Sequence, residues 1–257
     1  MRYSTVSPGR RHWHERYAKR DAPRVDRLLC NSGRLCFSDY FSDHDRDFYF
    51  YLGNFYERGF ADLDPFFRFH PWLYLFLVPA ISMRLWAEER RSGTIELLLT
   101  LPLTTFQAVF GKFLSAWLFI GLALGLTLPM WITVNYLGSP DNGVIFAAYL
   151  GSWLMAGGFL AIGSCMSALT RNQVVAFILS IVVCFLFLLS GLPMVMNLFN
   201  GWAPQIVLDG IASLSFLQHF ADISKGVIDL RDLVYFALVI GFWLLANVLI
   251  LELKKAD

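Results

Sequence analysis

From residue 66 onward the chain alternates long apolar runs with short polar breaks. A helix needs roughly 20 apolar residues to cross the hydrocarbon of a bilayer, and five runs approach that length. Span A covers about residues 66–86, with Arg68 and Arg84 near its ends. Long basic side chains there can bury their stems and keep the charge in water. Pro79 predicts a kink within it. Span B covers about 113–136, with Pro129 near its far end; span C about 144–169; span D about 174–196; span E about 233–251. Leu137-Gly-Ser-Pro-Asp-Asn-Gly143 and Thr170-Arg-Asn-Gln173 are tight polar turns. A semi-polar stretch over 197–232 joins D to E and holds Trp202, Pro204 and His219. The pattern predicts an all-α fold, a polytopic transmembrane helix bundle with five visible spans. Span C is rich in small residues, from Gly151 and Ser152 through Gly157, Gly158 and Gly163 to Ser167. Small residues let membrane helices approach closely, so these predict a helix interface more than a substrate path.

One break differs from the others. Glu88-Glu89-Arg90-Arg91-Ser92-Gly93-Thr94-Ile95-Glu96 carries five charges in nine residues and continues through Leu97 to Pro102. Charge this dense does not sit in hydrocarbon, so it marks where the chain leaves the bilayer and turns back. On the simplest reading Ser92 or Thr94 caps a short helix with Glu96 near the positive end of its dipole. Leu97, Leu98, Leu101 and Phe106 then form an apolar stripe at helical spacing, as in many interfacial helices. On the sharper reading the charges and the stripe form a docking surface for a soluble partner. The residues alone favour the first.

Composition agrees with the spans. The 257 residues are 56% hydrophobic and 16% charged, against about 25% charged in an average soluble domain, and the mean hydropathy is +0.52. A net charge of +1 gives no argument for a nucleic-acid partner. Cys30, Cys36, Cys165 and Cys184 show neither metal spacing nor a disulfide framework, and the last two lie in apolar runs where they pack as small hydrophobes.

Residues 1–65 are unlike the rest. They hold 11 of the 21 Lys and Arg, no run long enough to span, and no signal-peptide pattern. Phe37-Ser-Asp-Tyr-Phe-Ser-Asp-His-Asp-Arg-Asp-Phe48 has neither helical nor strand period. A solvated extension is the plain reading. The genetic code offers another for residues 30–49. Read one base later, Asp-Tyr and Asp-His become Ile or Thr, Cys-Phe and Cys-Asn become Ala or Val, and Phe-Ser, with the common Ser codon box, becomes Phe or Ser. The shifted segment has roughly the length of one span. It is therefore read as a first transmembrane helix overwritten by a frameshift or a sequencing error, with residues 1–49 aberrant and 50–257 forming the membrane domain. Resequencing decides between the two.

Basic residues orient the spans. The A–B break carries Arg84, Arg90, Arg91 and Lys112, the C–D turn Arg171, and the C-terminus Lys254 and Lys255. The B–C turn carries no Lys or Arg, and the D–E connection offsets Lys225 and Arg231 with Asp209, Asp222, Asp229 and Asp232. The first set is placed in the cytoplasm and the second outside. Five spans would leave the basic N-terminal segment outside; a sixth returns it.

Other polar features suggest packing. His219 forms no ligand set with His12, His14, His44 or His70, and is expected to be a satisfied or solvent-facing side chain. Asn247 within span E is expected to make a packing hydrogen bond. Trp72, Trp86, Tyr136, Trp202 and Tyr235 near span ends read as interface anchors. Gly111-Lys112 is not a phosphate loop, since the earlier Gly is missing and Phe follows. No catalytic constellation is visible, so the chain is not expected to be an enzyme.

Arg84, Glu88-Glu89-Arg90-Arg91, Gly93-Thr94-Ile95-Glu96-Leu97-Leu98, Pro102 and Gly111-Lys112 together resemble the turn after the second span of ABC-2 type transporter permeases. Ser213-Leu-Ser-Phe216, His219-Phe220 and Gly226-Val-Ile-Asp-Leu-Arg-Asp232 are similar to the same family, in particular its gliding-motility-type branch. The similarity runs from about Phe50 to Leu251. The resemblance implies six spans, an N-terminal elbow helix that residues 1–49 do not show, and a place in the bacterial inner membrane. It implies a coupling helix at Glu88, Glu89, Arg90, Arg91, Gly93, Thr94, Glu96, Leu97 and Pro102, seated in a groove of a separate ABC ATPase subunit. It implies an external re-entrant region from about Trp202 through Pro204, His219 and Gly226 to Asp229. Partners would be that ATPase, a second permease copy or paralogue, and membrane lipid. This chain would bind no cofactor, with ATP and Mg held by the ATPase.

The expected function is the permease subunit of an ATP-driven ABC-2 exporter. Spans B to E lack internal charges, which suits a lipid-like, glycan or hydrophobic cargo better than a free ion. The alternatives are a non-transporting membrane scaffold, separable by whether charge reversal in the island releases an ATPase, and an ion-coupled secondary transporter, which needs midplane ionisable groups and inverted repeats not seen here.

Overall fold

A computed structural model describes residues 63–94, 104–192, 195, 210 and 212–254. Among these there are helices and no strands. In chain order they are α1 (Asp64–Ser82), α2 (Arg84–Ser92), α3 (Thr105–Gly125), α4 (Leu128–Leu137), α5 (Asn142–Leu169), α6 (Gln173–Leu189), α7 (Phe216–Ser224) and α8 (Leu230–Leu253). The expected all-α bundle is what the chain forms.

Three described stretches are long and apolar enough to cross a membrane: Thr105–Leu137, Asn142–Leu169 and Leu230–Leu253. They are spans B, C and E. Among the described residues the other two expected spans fall short of that length and apolar content. Span D is the 17-residue apolar helix Gln173–Leu189. Span A is α1, 19 residues long, where Arg68, His70 and three prolines dilute the apolar run. The helix passes through Pro71 and Pro79 and ends at Ser82. Met83 alone separates it from α2, so the charged island begins as a second helix on the same path.

Polar residues at the turns close the helix ends. Thr104 and Gln107 form a reciprocal box at the start of α3. Asp141 Oδ1 accepts from Gly143 N at 2.9 Å and Asn172 Oδ1 from Val174 N at 3.0 Å. Each supplies one acceptor to the unpaired N–H groups of a first helical turn. Between α3 and α4, Thr127 Oγ1 donates to the Leu124 carbonyl at 2.6 Å and meets the Tyr149 hydroxyl at 3.0 Å.

The bundle is built around α5, which packs on α8, α1, α6, α7, α3 and α2. The small residues make this possible. A Cβ on Gly158 would lie 2.6 Å from the Phe216 ring of α7, on Gly157 2.8 Å from Trp117 of α3, and on Gly151 2.9 Å from Ile223 of α7. The Gly163 position is filled by Ser82 of α1. The predicted helix interface is therefore present, with aromatic side chains filling the spaces at Gly157 and Gly158, Ile223 the one at Gly151 and Ser82 the one at Gly163. Trp117 and Trp153 stack at 4.2 Å between α3 and α5 and each donates to the other's carbonyl. The outer faces carry Leu118, Leu122, Ile178, Leu186, Leu238, Phe242 and Leu249, all exposed, as lipid-facing helices require.

Candidate functional site

The island is a helix end. Its first charges, Glu88 to Arg91, belong to α2, which stops at Ser92; Gly93 follows with φ 75°. That left-handed conformation costs a glycine little and any other residue more. Ser92 Oγ donates to the Glu88 carbonyl at 2.9 Å and meets Thr94 Oγ1 at 3.0 Å. Ser92 thus closes the helix before it, where the sequence suggested that Ser92 or Thr94 opens the helix after it. Glu96, Leu97 and Pro102, with the proposed leucine stripe before Phe106, lie outside the described residues.

The charges divide between two directions. Glu88, Arg91, Ser92, Gly93 and Thr94 are exposed, while Glu89 and Arg90 are half-buried and face the bundle. Glu89 pairs with Lys112 of α3. The Lys112 ammonium also donates to the Leu85 carbonyl at 2.9 Å and lies 4.2 Å from the centre of the Trp86 ring, a cation–π distance. Arg90 donates to the Ala168 carbonyl at the end of α5. Burial, and then the neighbouring Arg171, hold its guanidinium below its ordinary pKa.

Helix α5 fastens the start of α2. Ser167 Oγ accepts from Trp86 N at 3.1 Å and from Ala87 N at 3.0 Å, and donates to the Met83 carbonyl at 2.9 Å. These are first-turn groups of α2, and α2 has no side-chain cap of its own. A serine some 80 positions later does the capping. One turn away, Ser164 Oγ accepts from Trp86 Nε1 at 3.2 Å and from Asn247 Nδ2 of α8 at 2.7 Å. Asn247 makes the packing hydrogen bond expected of it. Trp86 is corrected: it is 1% exposed and is a buried member of this network, not an interface anchor. Its indole finds a hydroxyl partner deep in the bundle, which removes the usual reason for it to sit at a wet surface. Tyr136, at 92% exposure, is placed as an anchor would be.

At the other end, His219 of α7 is buried and satisfied. Its Nδ1 is 2.6 Å from Asp232 Oδ1 and its Nε2 3.0 Å from the Ser213 carbonyl. Its ring stacks on Tyr235 at 3.9 Å, and the Tyr235 hydroxyl donates to the Leu214 carbonyl at 2.5 Å. These contacts join α7 to the first turn of α8. A cavity of about 490 Å³ beside them is lined by both charge signs, among them Asp222, Lys225, Asp229 and Arg231. Gly226, at φ 90°, turns the chain between the helices. Trp202 and Pro204 lie outside the described residues.

The sequence matches the family model of the ABC-2 family transporter proteins over residues 44–251. The chain belongs to this family. No curated protein matches it. It is thus the membrane permease component of an ABC transporter, a multi-pass protein, and not the nucleotide-binding subunit. Of the ABC-2 coupling residues suggested from sequence, the described ones lie together at one end of the bundle, yet only Glu88, Arg91, Gly93 and Thr94 face outward. Reasoning from sequence missed Ser164, Ser167 and Lys112 as the residues that hold this end. Ser164 and Ser167 fall three apart in span C and so share a helix face, the one local sign that they act together.

Proposed function

We propose that an ABC ATPase subunit docks on the exposed end of α2, at Glu88, Arg91, Gly93 and Thr94 and on through Glu96, Leu97 and Pro102, and that its ATP-driven movement is passed to the spans for export. The observation that carries this is the double attachment of α2. One face is charged and free, while the other is bonded to α3 through Glu89–Lys112, to α5 through Ser167 and Arg90, and to α8 through Trp86, Ser164 and Asn247. A load on α2 therefore reaches three helices through hydrogen bonds and one ion pair. ATP and Mg belong to the ATPase in this reading. The permease works as a dimer with itself or a paralogue in the bacterial inner membrane, and the island and C-terminus face the cytoplasm on the strength of their basic residues.

The gliding-motility-type branch, a lipid-like or glycan cargo, and an external re-entrant role for the α7 region belong to the same proposal. So does an overwritten first span in residues 1–49, supported by the side on which it would place the basic N-terminal segment.

Glu88→Lys combined with Arg91→Glu tests the docking. Neither side chain takes part in an ion pair among the described residues, so the helix should persist. Membrane insertion is expected unchanged and co-purification of the ATPase lost. Equal ATPase recovery would refute the docking surface and favour a scaffold whose island is an ordinary loop.

A further inference from the structure

Three cations meet where α5 ends. Arg90 of α2 and Lys254 after α8 both donate to the Ala168 carbonyl, the latter at 3.4 Å, and Lys254 also reaches the Leu169 carbonyl at 2.7 Å. Two like charges share one acceptor oxygen. Arg171 stands two residues past the end of α5, close enough to weigh on both, and burial, then Arg90 and Arg171, hold the Lys254 ammonium below its ordinary pKa. Among the described residues no carboxylate offsets them. Glu89 is taken by Lys112, and no ion pair among the described residues joins Glu88 or Glu252 to any of the three. The carbonyl end of α5 supplies about half a negative charge. The N-terminus of α6, which opens at Gln173, adds positive potential on the other side. Among the described residues the positive cluster is left uncompensated.

Its setting is a membrane edge. Leu169, Leu249 and Leu253, at 42%, 59% and 70% exposure, flank the cations on α5 and α8, two of the three described stretches long and apolar enough to cross a membrane, both of which end here. Charge above and bare leucine below is the profile of a phospholipid, with a phosphate at the basic residues and an acyl chain along the leucines. We propose that Arg90, Arg171 and Lys254 bind the phosphate headgroup of an anionic phospholipid at the junction of α2, α5 and α8. The bound lipid would tie the island helix to the bilayer. The inference needs only that this end lies at a membrane surface, and it stands whether or not an ATPase docks on α2.

The test uses the full chain in nanodiscs of phosphatidylcholine alone or mixed with phosphatidylglycerol, with retained lipid read by native mass spectrometry. Wild type is expected to retain phosphatidylglycerol in preference to phosphatidylcholine. Arg171→Gln and Lys254→Gln should each weaken that preference about fivefold, since one basic residue near an anionic surface contributes about that factor. Arg171 is exposed and, among the described residues, makes no hydrogen bond that holds the bundle, so this variant should fold even if Lys254→Gln does not. Lys225→Gln, at the opposite end and paired with Asp222, should leave retention as in wild type. Equal retention by wild type and Arg171→Gln overturns the proposal. So does thermal stabilisation by inorganic phosphate alone that matches the lipid's, which would make this a free-anion site. Loss of a co-purifying protein with lipid retention unchanged would assign the cluster to a protein partner and overturn it too.

Discussion

Ser167→Ala should be the most damaging single-oxygen deletion in the bundle. The hydroxyl holds three main-chain groups, Trp86 N, Ala87 N and the Met83 carbonyl, at 3.1, 3.0 and 2.9 Å. Trp86 and Ala87 are at most 1% exposed, so water cannot replace the lost oxygen. Loss of a helix N-cap costs about 1 kcal/mol, and a further buried unsatisfied donor costs about 1–3 kcal/mol. The sum is about 2–4 kcal/mol. At ~2–4 °C per kcal/mol for a chain of this size, the midpoint should fall by roughly 5–15 °C.

Ser180→Ala is the matched control. Ser180 is also fully buried, but its hydroxyl only donates back to Ala176 in its own helix, at 2.7 Å. Its removal strands no donor, because that carbonyl belongs to the helical ladder already. The control should move the midpoint by no more than a degree or two. Thermal melts of both variants in the same detergent, followed by tryptophan fluorescence, give the comparison. If Ser167→Ala melts with Ser180→Ala, then α2 is not capped from α5, and the path from the island to the core loses its main link.

Two further outcomes follow from the packing. Gly158→Ala should destabilise by about 1–3 kcal/mol, because its Cβ would lie 2.6 Å from a Phe216 ring enclosed by Phe159, Phe187 and Phe236; Gly241→Ala, with nothing within 4 Å, should be neutral or slightly stabilising, and equal melting of the two would refute the contact. A double-variant cycle of Glu89→Gln with Lys112→Met should show coupling of about 0.5–3 kcal/mol, toward the low end because both side chains keep a quarter or so of their exposure; additive losses would mean that this ion pair does not join α2 to α3.

The spans were legible because a bilayer imposes a length and an apolar content that sequence displays directly. The stripe of small residues in span C was legible for a related reason, since glycines at Gly151, Gly157, Gly158 and Gly163 have little other use in an apolar helix. What lay hidden depends on contacts between distant positions. The sequence places a helix start at Ser92 or Thr94, because polar residues there suit an N-cap, yet α2 continues the path of α1 as helix, closed at its start by Ser167 and at its end by Gly93. Trp86 sits where an interface anchor would, and only the hydroxyl of Ser164, 78 positions away, turns it inward. His219 could be read as satisfied, but its partner Asp232 was grouped with loop acids, because nothing local pairs a histidine with a carboxylate 13 residues on.

The two ends of the bundle are joined in unlike ways, and this bears on how a permease could move. At the island end, α2 is held to α3, α5 and α8 by bonds that share partners: Ser164 serves two helices at once, and Ala168 O receives two cations. Shared partners make these contacts rise and fall together, so this end favours movement as one body. At the other end, α7 is tied to α8 through two side chains: Phe216, packed on Tyr235 and Phe236, and His219, with Asp232 on one nitrogen and Tyr235 on its face. Its neighbourhood includes a polar cavity, where water can take over a broken hydrogen bond at little cost. A displacement applied at α2 would therefore be carried rigidly through the near half and released at the α7–α8 junction. If an ATPase docks on α2 as proposed, this asymmetry would favour opening at the far end over bending at the near end.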